Sequence, residues 1–133
     1  MRYCLLVFFF TMSFFVRADV PSIEDVKAAK GHEQLVLLNQ YMRSQAFIDA
    51  KTALSLAESL KPNLPLNQFS KEKLYLHLWQ GVALNFIGNR RDALILLDTV
   101  INESTSAGLS DVTVEALLQR ATIYEGSRIA IWL

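Results

Sequence analysis

The chain has 133 residues, with 13 basic and 13 acidic side chains, a balance that leaves no electrostatic footprint for nucleic acid. Arg90-Arg91 is the one adjacent basic pair, and it reads first as a solvated helix start rather than a phosphate clamp. Cys4 is the single cysteine, which excludes a disulfide framework and a thiolate metal site.

The first segment, MRYCLLVFFFTMSFFVRADV, places Arg2 ahead of a mostly apolar run of 14 residues, Tyr3 to Val16, and ends it at Val16-Arg17-Ala18. A positive end, a short apolar stretch and small residues at the cleavage spacing predict a secretory signal peptide over 1–18. A bilayer span takes about 20 apolar residues. This run is shorter, so cleavage after Ala18 is expected rather than a retained anchor. Processing removes Arg2 and Arg17, leaving 115 residues with 11 basic and 13 acidic side chains and a net charge near −2. That length suits one small domain with its own core, expected in the periplasm or secreted.

Residues 19–30 read as a leader and a short helix, with Ser22 as its cap and Ile23, Val26 and Ala29 as a weak apolar stripe before Gly31. From His32 to Ser44, Leu35, Leu38, Tyr41 and Met42 recur at helical spacing. AFIDAKTALSLAESLKP follows at once: Ala46, Ala50, Ala53 and Ala57 keep one side thin, Phe47, Leu54 and Leu60 fill gaps, and Pro62 stops the helix. Two helices with so short a link pack antiparallel, giving a hairpin over 32–60.

After the connector KPNLPLNQF, Ser70 is expected to cap SKEKLYLHLWQGVALNFIG, whose Leu74, Leu78, Val82 and Phe86, with Trp79 and Ala83 beside them, keep the 3.6 period up to Gly88-Asn89. The next helix, RRDALILLDTVIN, leaves little of its circumference polar and expects protein on more than one side, completing a hairpin over 70–102. ESTSAGLS is a turn, with Ser110 as cap and Asp111 favoured by the helix dipole. A last helix over 111–126 carries Leu117, Leu118, Ala121 and Tyr124, with Gly126 and Ser127 expected to close it. No segment alternates like a strand, so the processed chain is predicted to be all-α.

The hairpins are self-similar. The second has Gly81, Leu84, Ala93 and Leu97, with Gly88 at its turn; the first has Leu38 in place of the small residue, then Tyr41, Ala50, Leu54, Ala57 and Pro62; the third has Ala121 and Tyr124 with no second helix. On these residues the chain resembles the tetratricopeptide repeat family over about residues 31–126. Positions 38, 81 and 121 recur at 43 and 40 residues, longer than the usual period of about 34. The spacing resembles long-period variants in bacterial regulatory proteins, including the extracytoplasmic sensor regions of diguanylate cyclases and histidine kinases. The resemblance implies antiparallel hairpins stacked as a short right-handed solenoid over 31–133, hairpin 111–126 being incomplete. It also implies a concave groove lined by the first helix of each pair, receiving His32, Leu35, Asn39, Met42 and Arg43, then Tyr75, Leu78, Val82, Asn85 and Phe86. Asn39, Arg43, Tyr75, Asn85 and Phe86 are the candidate partner-binding residues.

Catalytic features are not legible: His32 and His77 are 45 residues apart, there is no Gly-rich phosphate loop, and carboxylates are spread along solvated faces. No catalytic residue, metal or cofactor is assigned. The expected function is an exported, non-catalytic module that binds a protein or peptide. The alternative is the amino-terminal periplasmic sensory region of a larger membrane-bound signalling enzyme, a diguanylate cyclase or histidine kinase. Ile129, Ile131, Trp132 and Leu133 form an apolar tail suited to self-association.

Overall fold

Three of the described helices start where a capping side chain satisfies an exposed amide of the first turn. The computed structural model describes the backbone of residues 20–132 and the side chains of residues 20–126, so the expected signal peptide over 1–18 and the side chains of the 129–133 tail lie outside the described residues. Helix α1 spans Ile23–Ala28. Ser22 Oγ accepts from the Asp25 amide at 3.1 Å, and the Asp25 carboxylate accepts from the Ser22 amide at 3.0 Å, a reciprocal capping box. That backbone hydrogen bond, with the Ser22 hydroxyl, holds the Asp25 carboxyl below its ordinary range. Gln34 Nε2, buried, donates to the Val26 carbonyl at 3.1 Å and ties α1 to α2, which spans Gly31–Gln45.

Helix α3 spans Ala50–Leu60, and a short 3-10 turn over Lys61–Asn63 carries Pro62. The stripe beginning at Ala46 suggested an earlier start. Asp49 prevents it by capping α3 through the Thr52 amide at 3.3 Å, and Ala46 instead closes α2 by donating to the Met42 carbonyl. Phe47 and Ile48 are consequently left on the turn.

Helix α4 spans Ser70–Phe86. The expected cap at Ser70 is corrected: Phe69 occupies the cap position without a side-chain hydrogen bond, and Ser70 is the first helical residue. Phe69 is fixed there by stacking on His32, centroids 4.0 Å apart, so tertiary contact overrides the local preference. At the other end Gly88 takes φ +92, and the Asn89 and Gly88 amides donate back to the Leu84 and Asn85 carbonyls, a Schellman stop that only glycine enters without strain. Asn89 then caps α5, Arg90–Ser106. The same stop recurs at Gly108, φ +71, with Leu109 and Gly108 bonded back to Ser104 and Thr105.

Helix α6 spans Ser110–Trp132, so Gly126 and Ser127 do not close it as expected. A glycine stop needs a left-handed residue, and Gly126 is not among the glycines with positive φ. Nor does α6 reach a second helix of a third pair within the described residues.

The described residues thus form six helices and no strand. The pairs α2–α3 and α4–α5 stack side by side: α2 and α3 both pack on α4, α5 packs on α4 and α6, and α4 touches α6. Leu35, Leu38, Met42, Leu78, Leu97 and Val112 are fully buried along these seams. Gly81 permits the tightest approach, since a Cβ there would stand 3.2 Å from Leu97 Cγ. Helix α5, expected to be covered on more than one side, buries Ala93, Leu97 and Val100 but leaves Ile95 57% exposed.

Candidate functional site

Successive first helices present one face each to an open cleft of about 510 Å³. Helix α2 contributes Val36, Asn39, Gln40 and Arg43; α4 contributes Lys71, Glu72, Tyr75 and Trp79; α6 contributes Asp111 and Glu115. Within each helix these positions are three or four residues apart, the spacing of a single helical face.

Charge divides the cleft. On the α2 side the Arg43 guanidinium lies 5.8 Å from the Trp79 ring centroid, within cation–π range. On the α6 side Lys71 Nζ meets Asp111 Oδ2 at 2.5 Å. This hydrogen-bonded pair raises the Lys71 ammonium above, and lowers the Asp111 carboxyl below, their ordinary values. Tyr75 Oη also donates to Asp111 Oδ2, at 3.4 Å. Burial, then the Asp111 charge, pushes the Tyr75 phenol up, so it remains a donor at neutral pH. Glu115 accepts from Gln119 Nε2 at 3.0 Å. Asn39 ties α2 to α4: its Nδ2 donates to the Glu72 backbone carbonyl at 2.9 Å while its Oδ1 is buried without a hydrogen-bond partner.

Asn39, Arg43 and Tyr75 are therefore brought together, whereas Asn85 and Phe86 fall at the far end of α4, outside the cleft lining. Phe86 packs edge-on against Phe47, centroids 6.3 Å apart. Four residues expected in the groove are corrected to core: Leu35, Met42 and Leu78 are fully buried and Val82 nearly so, because their face of the helix meets the neighbouring helices. His32 sits beside the cleft, its Nε2 3.3 Å from Glu72 Oε1. His77 is partly buried near Lys61, Lys73 and Glu103, and burial foremost lowers its pKa.

Sequence reasoning missed Trp79, Lys71 and Glu115 as cleft residues and read Asp111 only as a helix-start charge. The signal was present: Lys71, Tyr75 and Trp79 recur every four residues on α4, a polar and aromatic stripe beside the core stripe. Among the described residues no group of three or more His, Cys, Asp or Glu side chains could hold a metal ion, and no helix is long and apolar enough to cross a membrane. No protein-family model matches the chain, and neither a curated protein nor a solved structure does.

Proposed function

We propose that the chain is an exported, non-catalytic binding module of the tetratricopeptide-like kind, its hairpins forming a short right-handed solenoid whose cleft holds an extended segment of a partner protein. The observation carrying this reading is the convergence of one face from each of α2, α4 and α6 on a single open cleft. An extended peptide suits it because the half-buried Tyr75 ring lies in the cleft, with Arg43, backed by the nearly buried Trp79 ring, on one side and Asp111 and Glu115 on the other. Aromatic and arginine side chains carry most of the energy in protein recognition, and opposed charges fix the direction in which a chain lies. The recurrence of equivalent positions 38, 81 and 121 and the stacking of α2–α3 on α4–α5 support the repeat reading. The apolar run at Tyr3–Val16 supports export.

Peptides selected by display on the processed chain test the proposal. Arg43→Ala or Tyr75→Ala is expected to weaken a selected peptide by about tenfold or more, the loss of an interface hot spot, whereas Asn85→Ala leaves it unchanged. Selected peptides indifferent to both cleft changes would refute the assignment. Amino-terminal sequencing of the exported chain checks processing, with Asp19 expected as the first residue.

A further inference from the structure

The two ends of the helical stack differ in polarity. At one end the α2–α3 and α4–α5 turns lie together, joined by the Phe47–Phe86 ring contact, and four large apolar side chains project from them: Phe47 is 49% exposed, Ile48 75%, Phe86 55% and Ile87 42%. At the opposite end the exposed turn residues are Pro62, Asn63, Asn67, Gln68, Ala107 and Gly108, flanked by Ser106 and Ser110 at the helix ends, with no large apolar side chain among them. Contiguous exposed apolar groups of this size mark an interaction surface.

Three further observations identify what covers it. Lys51, Arg90 and Arg91, all exposed, lie in the first turns of α3 and α5, immediately behind the apolar tips. The carboxylates beside them, Asp49 and Asp92, are also exposed and accept from the Thr52 amide and Asn89 Nδ2, so the three cations there exceed the two carboxylates by one charge. Most of the turn amides at the tips are bonded internally: Ile48 and Asp49 donate to the Gln45 carbonyl, Ile87 to Ala83 and Gly88 to Asn85, which reduces the backbone polarity lost on leaving water. Apolar tips with cations in the first helical turns directly behind them match the depth order of a bilayer surface, acyl boundary first and phosphate above it.

We propose that this end of the molecule docks on an anionic lipid surface, Phe47, Ile48, Phe86 and Ile87 entering the interface and Lys51, Arg90 and Arg91 meeting the phosphates.

A polarity-sensitive fluorophore attached at Ile48→Cys, in a Cys4→Ser background, reports contact directly, with Ser106→Cys as the label site at the opposite end. Vesicles containing phosphatidylglycerol are expected to blue-shift the position 48 probe and leave the position 106 probe unchanged, while phosphatidylcholine vesicles have a much weaker effect. Lys51→Gln with Arg91→Gln is expected to lower the apparent affinity for the anionic vesicles about thirtyfold, from the usual attraction of each cation near such a surface. Equal shifts at both positions, no shift at position 48, or a shift at position 48 produced by raising protein concentration without lipid would overturn the proposal.

Discussion

Gly81 sets the spacing between α4 and α5, and substituting it separates backbone propensity from packing. A right-handed helical glycine replaced by alanine gains about 1 kcal/mol from lost unfolded-state freedom and better propensity. At position 81 the new Cβ would stand 3.2 and 3.3 Å from Leu97 Cγ and Cδ2, and 3.5 Å from the Ala93 carbonyl oxygen. Leu97 is fully buried, held between α4 and α6, and forcing a methyl into such a seam costs about 1–3 kcal/mol. Gly81→Ala is therefore expected to destabilise by about 1 kcal/mol, the packing cost outweighing the helix gain. Leu97→Val, which shortens the side chain that blocks the methyl, costs about 1 kcal/mol alone. In the double variant the alanine methyl occupies the space released, so the pair should be more stable than the sum of the singles by about 1–2 kcal/mol, well beyond the additive range of about 0.5 kcal/mol. Urea unfolding followed by far-ultraviolet circular dichroism measures all four corners of the cycle. Additive singles, or a Gly81→Ala variant more stable than the parent, would show that this seam is not closely packed at Gly81.

Three further outcomes are expected. Burial, reinforced by Lys61 and Lys73, lowers the His77 pKa from its ordinary 6.5; the unfolded chain then binds the proton more readily, so stability is full above about pH 6.5 and falls as pH drops through the lowered folded value. His77→Gln should flatten that slope in urea midpoints measured across the range, and an unchanged slope would assign it elsewhere. Asn39→Leu removes both the bond to the Glu72 carbonyl and the unsatisfied Oδ1, for a net change within about 1 kcal/mol, whereas Asn39→Asp turns acceptor against acceptor and costs about 1–3 kcal/mol, a contrast readable in the same titrations. Gly126→Ala, at a helical position whose added Cβ would meet nothing within 4 Å, should raise stability by about 0.5–1 kcal/mol; a loss would mean that α6 bends or stops there.

The buried helix faces were legible because apolar spacing reports burial directly: Leu35, Leu38, Tyr41 and Met42 all lie in the core. Starts and stops were legible only where one side chain settles them. Ser22 does so through its capping box, whereas at Ser70 the stacking of Phe69 on His32 moved the boundary by a residue, a contact between residues 37 apart that no local window contains. Gly126 misled for the opposite reason, because glycine permits a left-handed stop without imposing one. The cleft was partly legible. Asn39, Arg43 and Tyr75 follow from the face opposite the core stripe, but Leu35, Met42, Leu78 and Val82 were assigned to the groove by a helix rotation that only tertiary packing fixes. Asp111 and Glu115 depend on α6 meeting α4, a pairing invisible in the spacing of either helix.

The packing order explains why the cleft falls on the α2–α4–α6 side. Those three helices touch in succession, whereas α3 and α5 share at most a marginal contact. Helices in contact along one side bring their faces that point away from the core together there, and these faces line the cleft. Crowding is limited by side-chain size at the seams, where Ala83, Ala93 and Gly81 let α5 settle close to α4, and by the Asn39–Glu72 and Lys71–Asp111 links that span α2–α4 and α4–α6. Enlarging a seam residue should therefore alter the width of the cleft as well as the stability of the chain. The Gly81→Ala variant, remote from the cleft lining, is expected to weaken selected cleft peptides, with Leu97→Val restoring them. A Gly81→Ala chain that binds such peptides unchanged would show that the seam and the cleft are mechanically independent.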